Sequence, residues 1–399
     1  MYRLRRFLIF LIGLSLPFNN VALEFGERTW SLGTLAGMLY IVSMFPDITW
    51  IPKIKRFGKY ILNPIYFAIL LTGMNLLNIN YDNTPIVPMT MFLCCLLFYF
   101  LLLHGGLDQR AFKSCLNGLG VGCILMAICF LLGFGVTVGD DMRLVMFGEN
   151  ANELGIYMCL GSMIIFNEWI LNDSLKLKAF RYIFLAAYIP ILVLLFVTGS
   201  RVAFLSFLMS FILIVCLYKT RNRRRKVFTI LVTILVGVAL FKFLLASDSI
   251  IIQRLLMTTE EGNLSGRDDI IKDLWPYVAQ NYLFGVGQTG YVNISRLALG
   301  KTSVIGGITY GFSPHNVLIE ILLYTGVVGL LLYSRFWYKV FKSAYYVYIA
   351  EYDRLSLLLL IPIAGCILSG QILTAKWAFV IYAYVIMNNV TTNRLTHKN

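Results

Sequence analysis

KTRNRRRK, residues 219–226, carries six positive charges in eight positions and lies between two apolar runs, 202–218 and 227–246. A hydrocarbon layer does not hold such a cluster, so it marks a membrane–water boundary, and the bias of lysine and arginine toward the cytoplasm assigns its side. Working outward, runs near the 20 or so apolar residues that a spanning helix needs recur along the whole chain. They lie at 5–20, 30–46, 60–79, 87–104, 115–136, 151–171, 183–199, 202–218, 227–246, 316–334, 355–373 and 376–390. The expected fold is therefore an all-α polytopic membrane protein of about twelve transmembrane helices. With the N-terminus inside, the inner segments hold 24 of the 34 Lys and Arg residues and the outer segments nine, with Lys242 inside a span. An error of one span before residue 219 would put KTRNRRRK outside. Both termini are thus expected in the cytoplasm.

Composition agrees. The chain is 59% hydrophobic and 14% charged, with a mean hydropathy of +0.76, which excludes an ordinary soluble domain of this length. The net charge of +14 follows from the inner segments, so no nucleic-acid partner is implied. The eight cysteines fall in or beside apolar runs without metal-like spacing and read as buried packing residues. MYRLRRFLIFLIGLSLPF, 1–18, begins like a secretory signal but has no small-residue cleavage site, so it reads as a retained first helix.

One outer segment stands apart. The organisation expected is spans one to nine over 1–246, a large extracytoplasmic loop over 247–315, and spans ten to twelve with a cytoplasmic tail over 316–399. The loop has 69 residues, a length that is usually functional or disordered. Within it, SGRDDIIKDLWPYVAQNYLFGVGQTGY, 265–291, pairs Ser265 with Asp268 as a capping box and repeats apolar residues at 270, 271, 274, 275 and 278. An amphipathic helix follows, bent at Pro276, with Gly285, Gly287 and Gly290 closing it in a turn-rich segment. It lies on the membrane or roofs a cavity. Trp275, Tyr277, Tyr282, Tyr291 and Tyr310 are either interfacial anchors or platforms for sugar rings.

Three residues on the outer side suit chemistry on an anionic, hydroxyl-bearing substrate. Arg201, in the tight turn Thr198-Gly199-Ser200-Arg201, is an outer cation against the charge trend and suits bidentate contact with a phosphate; the plain alternative is a snorkelling arginine. Arg267 opens the loop helix at its positive end, where an arginine is unfavourable. His315 is the one histidine expected outside, since His104 and His397 fall on inner segments; a neutral imidazole there suits general-base work. The alternative is that Ser313-Pro314-His315-Asn316 only starts a helix. Arg143, Glu149, Asn150 and Asn152 form a second outer group beside Glu153, and Glu320 lies at depth in the next span, about 140° round the helix from His315. No metal cluster, phosphate loop or serine hydrolase motif is present.

In this order and topology the residues resemble the O-antigen polymerase and O-antigen ligase superfamily of bacterial envelope glycosyltransferases. TGSR, 198–201, resembles the family's outer arginine after the seventh span. GR, 266–267, with Trp275 and GVG at 285–287, resembles its large-loop pattern, and FGENANELG, 147–155, its asparagine-containing segment. His315-Asn316 followed by Gly326 and Gly329 resembles the pattern associated with the ligases. The resemblance implies a donor glycan on undecaprenyl pyrophosphate and an acceptor hydroxyl from a lipid-linked glycan or the lipid A core. It also implies Arg201 and Arg267 on the pyrophosphate and His315 at the hydroxyl. Arg143, Glu149, Asn150, Trp275, Tyr277 and Asn316 become candidate substrate-binding residues, and membrane lipids, a flippase and chain-length regulators the expected partners. No cofactor or metal is required. The favoured activity is repeat-unit polymerisation of O-antigen or capsular polysaccharide. A ligase is the nearest rival, and a transporter or flippase the remote one.

Overall fold

The structure is a computed structural model that describes residues 2–25, 28–47, 54–78, 86–108, 111–139, 143–171, 178–217, 267–305, 308–369 and 372–396, with 227, 231 and 242. KTRNRRRK, most of the expected span 227–246 and the first part of the large loop, including Ser265 and Gly266, lie outside the described residues.

Helices occupy the other eleven expected spans. They are α1 (Tyr2–Ser15), α2 (Leu32–Met44), α3 (Ile54–Leu77), α4 (Ile86–Leu107), α5 (Ala111–Leu131), α6 (Ala151–Ile164), α7 (Lys178–Val197) and α8 (Arg201–Leu217). After the loop helices α9 (Arg267–Gln280) and α10 (Gly287–Leu299) come α11 (Val317–Glu351), α12 (Leu355–Ser369) and α13 (Lys376–Thr396). Among the described residues, four stretches, 57–77, 86–105, 111–131 and α11, are long and apolar enough to cross a membrane, whereas α2, 183–197, 201–214 and 355–368 are shorter apolar helices. Among the described residues, three antiparallel hairpins join them: β1 (Ala22–Phe25) with β2 (Arg28–Ser31), β3 (Val136–Val138) with β4 (Leu144–Met146), and β5 (Thr302–Ile305) with β6 (Ile308–Gly311).

Close backbone approach and aromatic packing hold the bundle together. Glycines let α1 and α5 touch: a Cβ at Gly13 would lie 2.0 Å from the Cys115 carbonyl oxygen, and one at Gly118 2.1 Å from that of Phe10. Small residues at such crossings are how helices pack where lipid removes the hydrophobic drive between them. Where α4, α11 and α13 meet, Phe98 meets Phe336 and Phe379 edge to face, Tyr382 meets Phe336 in the same way, and Trp337 Nε1 donates to the Tyr382 hydroxyl at 3.0 Å. Six of the cysteines are buried, as expected of packing residues, but Cys129 is half-buried and Cys216 exposed.

Contacts sort the connections into two ends. At one, Arg5 donates to the Ser43 carbonyl at 2.7 Å, Arg6 pairs with Asp108, and Arg354 Nε reaches Asn167 Oδ1 at 2.7 Å. At the other, Asn20 reaches the Gly148 carbonyl at 2.8 Å, Lys376 Nζ donates to Thr34 Oγ1 at 3.0 Å, and Gln288 Oε1 accepts from Val87 N–H at 3.0 Å. This second end carries α9, α10 and the three hairpins.

The large loop departs from the expected turn-rich segment. Gly285 and Gly287 are left-handed, but Gly290 is helical, because α10 starts at Gly287. Its first turn is tied to the end of α3, where Asn75 Oδ1 accepts from Thr289 N–H at 3.0 Å. The same loop is stitched into a membrane helix. At Gly326 (φ 63°, ψ −162°) α11 leaves helical geometry. Val327 N–H then donates to the Tyr282 carbonyl at 2.8 Å and Val328 N–H to that of Leu283 at 3.3 Å, while Leu323 O accepts from Val286 N–H at 2.7 Å. Backbone groups freed by the kink are thereby satisfied by the loop, as burial demands. Beyond the kink α11 continues through residues 335–351, past residue 334 where the expected span ends.

Candidate functional site

Two clusters form at the end that carries the loop. The first is built round the Thr198–Ser200 turn. Gly199 is left-handed (φ 61°), which lets α7 end and α8 begin within three residues. Ser200 opens α8, with Phe204 N–H donating to its carbonyl at 2.9 Å and Ala203 N–H reaching its hydroxyl at 3.4 Å. Arg201 is therefore the first helical residue and half-buried. Arg143, buried at 6% exposure, locks this turn: its Nε donates to the Thr198 carbonyl at 3.0 Å and its Nη2 to Asn152 Oδ1 at 2.7 Å. It thus braces Arg201's turn against the start of α6. Gly155 completes the weld, since a Cβ there would lie 2.9 Å from those of Ser200 and Ala203.

Just before α6, Phe147 and Gly148 are both left-handed (φ 50° and 71°), turning Glu149 inward to 1% exposure. One of its oxygens, Oε2, is buried with no hydrogen-bond partner among the described residues. Burial, and after it the Glu153 carboxyl that shares a hydrogen bond with it, holds Glu149 well above the usual carboxylate range; the Asn20 backbone N–H opposes this. This favours the neutral, protonated form of the Glu149 carboxyl. Asn150 is exposed and caps α6, accepting from Asn152 N–H at 2.8 Å.

The second cluster lies where the loop enters α11. His315 is left-handed (φ 50°), a conformation that histidine adopts more readily than most residues, and its N–H donates to Ser313 Oγ at 3.1 Å. Asn316 then caps α11, its Oδ1 accepting from Leu318 N–H at 2.9 Å and Ile319 N–H at 3.2 Å. The helix start belongs to Asn316 alone, which leaves the imidazole outside the capping. The loop aims that ring. Tyr291, fully buried on α10, donates to the Phe312 carbonyl, Ser295 Oγ accepts from Phe312 N–H at 2.7 Å, and the Phe312 ring meets His315 edge-on at 5.9 Å. Burial first, and then the charge of Arg267, hold His315 below its ordinary value. The two residues singled out on the loop are therefore electrostatic neighbours.

Helix α12 walls both clusters. Near its end the Leu368 carbonyl accepts from Asn316 Nδ2 at 3.4 Å, and one turn earlier Gly365 packs on Val202 and Ser206 of α8, a Cβ there lying 3.0 Å from Val202 Cγ1. Of the candidate sugar platforms, Trp275 is 53% exposed on α9, Tyr277 is half-buried and Tyr291 is wholly buried.

The geometry adds a cavity of about 260 Å³ at the same end, lined by Asn19, Thr90, Glu153, Tyr157, Lys376 and Trp377 among others. Lys376 and Trp377 escaped notice as site residues, although Lys376 breaks the charge trend just as Arg201 does.

A family model described as O-antigen ligase matches residues 186–334. This match supports the resemblance to the O-antigen polymerase and ligase superfamily. The match runs from α7 to the middle of α11 and contains Arg201, Arg267 and His315. A sequence comparison with curated proteins finds no match. With the apolar helices, this similarity supports an integral membrane protein.

Proposed function

We propose that the protein is a membrane glycosyltransferase that polymerises undecaprenyl-pyrophosphate-linked repeat units of O-antigen or capsular polysaccharide on the outer face of the bacterial cytoplasmic membrane. The observation that carries this reading is that the loop anchored over the bundle orients His315 through Phe312 and brings Arg267 close enough to act on it electrostatically, within the family match. On this reading the loop-bearing end faces outward and both termini are cytoplasmic. A cation beside an imidazole favours the neutral, proton-accepting ring, and the same cation suits a pyrophosphate.

The acceptor hydroxyl attacks the anomeric carbon of the donor glycan. The new glycosidic C–O bond forms, the bond from that carbon to the pyrophosphate oxygen breaks, and His315 takes the hydroxyl proton. Arg201 and Arg267 stabilise the negative charge that develops on the leaving pyrophosphate. Arg143 acts through the turn that carries Arg201. The Glu149 carboxyl and the cavity by Glu153, Tyr157, Lys376 and Trp377 serve the glycan, with Trp275 and Tyr277 at the loop surface. The energy resides in the lipid-linked bond, so no cofactor is required.

The similarity to the O-antigen ligase family favours a second reading, ligation of the glycan to the lipid A core. A deletion strain separates the two. Loss of a polymerase leaves single repeat units on the core, whereas loss of a ligase strands full chains on the carrier lipid; unaltered surface glycan would remove both. A flippase and a chain-length regulator are the protein partners that a polymerase needs.

A further inference from the structure

At the opposite end of the bundle, α3, α11 and α13 enclose a cavity of about 460 Å³ lined by Lys59, Arg335, Lys339 and Lys342, three tyrosines, Ser343 and Asn389. The α11 residues fall at 335, 338, 339, 342, 343 and 346, the spacing of one helical face. Four cations thus converge on one space. Its floor is built and buried: Asn389 Nδ2 donates to Ser343 Oγ at 3.1 Å and to the Tyr60 hydroxyl at 3.4 Å, with all three residues at 5% exposure or less.

Like charges three and four residues apart repel on a helix, and other cations at this end relieve such repulsion with acids or carbonyls. Arg6 has Asp108, Arg5 the Ser43 carbonyl and Arg354 the Asn167 side chain. The cluster has no acidic partner among the described residues. Lys339 donates to the Lys59 carbonyl, Lys59 lies 5.0 Å from the Tyr60 ring centre, and Lys342 lies 5.5 and 5.6 Å from those of Tyr338 and Tyr346. Tyrosine rings orient the cations without neutralising them. Such a convergence of cations suits an anion.

A second feature of α3 selects its source. An apolar groove of about 840 Å³ runs between α3 and α4 from Gly58, the residue before Lys59, to Leu76. Leu62, Met89, Phe92 and Leu96 line it and are 40–59% exposed. A lipid presents both a phosphate and a chain, whereas a soluble phosphate makes no use of the groove.

We infer that the Lys59–Arg335–Lys339–Lys342 cavity binds the phosphate of an anionic membrane lipid, with its acyl chain against the α3–α4 face. This site lies across the bundle from His315 and does not depend on the glycan chemistry.

The test uses the full-length protein purified in detergent, titrated with phosphatidylglycerol or phosphatidylcholine and read by native mass spectrometry. Wild type retains phosphatidylglycerol preferentially, and Lys339→Gln/Lys342→Gln weakens that retention roughly tenfold or more. Arg335→Gln, on an exposed side chain, gives a smaller loss in the same direction and covers failure of the double variant to fold. Arg3→Gln/Lys113→Gln removes two exposed cations at the same end and leaves retention unchanged. The inference is overturned by equal retention of both lipids, by equal loss in the control variant, or by inorganic phosphate binding without any lipid preference.

Discussion

Replacing Gly326 with alanine isolates the clamp between the large loop and α11. Gly326 occupies φ 63°, ψ −162°, a region essentially restricted to glycine that costs another residue about 1–3 kcal/mol. The added Cβ would lie 2.3 Å from the Leu283 carbonyl carbon and oxygen, which are backbone atoms and cannot swing aside. Relief requires the loop to move away, breaking the bonds from Val327 and Val328 to Tyr282 and Leu283, each worth about 1 kcal/mol net. The two contributions bring the shift to roughly 3–5 kcal/mol, which raises the undocked fraction of the loop at least a hundredfold. Hydrogen exchange read by mass spectrometry in lipid nanodiscs measures this directly. Amides at 282–286 and 327–328 should exchange about two orders of magnitude faster, while those of α1 and α5 keep their protection. Glycan transfer should fall in parallel, because the loop that undocks also carries Arg267 and aims His315. Gly37→Ala is the control, since a Cβ there meets nothing within 4 Å. Unchanged exchange at 282–286 in Gly326→Ala, or the same acceleration in Gly37→Ala, would refute the clamp.

The chemistry makes further commitments. His315→Ala should lower transfer by about 10²–10⁴-fold, as expected for loss of a general base, without changing the melting temperature measured in detergent. A base works while neutral, so activity is lost as pH falls through the His315 pKa, which burial and Arg267 hold below the ordinary imidazole value. Arg267→Gln removes the cation and should move the acid limb of the pH–rate profile to higher pH, a shift that loss of pyrophosphate contact alone would not produce. Glu149→Gln should keep the fold and most of the activity because burial and Glu153 favour the neutral carboxyl that glutamine mimics, whereas Glu149→Lys should prevent accumulation of folded protein. Arg143→Leu strips the Thr198 carbonyl and Asn152 of a charged donor, and should cost about 2–4 kcal/mol of stability in a thermal melt while lowering transfer through Arg201.

How far the sequence reached depends on the range of the interaction concerned. Each span declares itself through its own apolar run, so α3, α4, α5 and the start of α11 fall where hydropathy places them. The loop helix α9 was legible for the same reason, through Ile270, Ile271, Leu274 and Val278. Features decided by distant partners were not. Gly326 reads as a helix-packing glycine until Leu283 is seen pressing on it, and α10 begins where it does because Asn75, more than 200 residues earlier, receives its first turn. Strands of three or four residues are too short to show alternation, so the hairpins left no trace. Among site residues, Arg201, Arg267 and His315 stood out as outer polar groups that broke the local pattern. Arg143 stood out too, but its bond to the Thr198 carbonyl 55 residues away is a tertiary fact. Asn316 shows the opposite limit, since a capping asparagine and a substrate-binding one are identical in sequence.

The central claim is glycan transfer at the loop-bearing end by His315, Arg201 and Arg267. It is tested most directly with purified protein in lipid vesicles supplied with an undecaprenyl-pyrophosphate-linked repeat unit, with products resolved by mass. Wild type should extend the lipid-linked glycan without added metal or nucleotide sugar, and His315→Ala, Arg201→Ala and Arg267→Ala should each abolish extension while remaining folded. Extension that survives all three substitutions would contradict the mechanism, and correctly inserted wild type that transfers glycan to neither a lipid-linked glycan nor a lipid A core would contradict the enzyme itself.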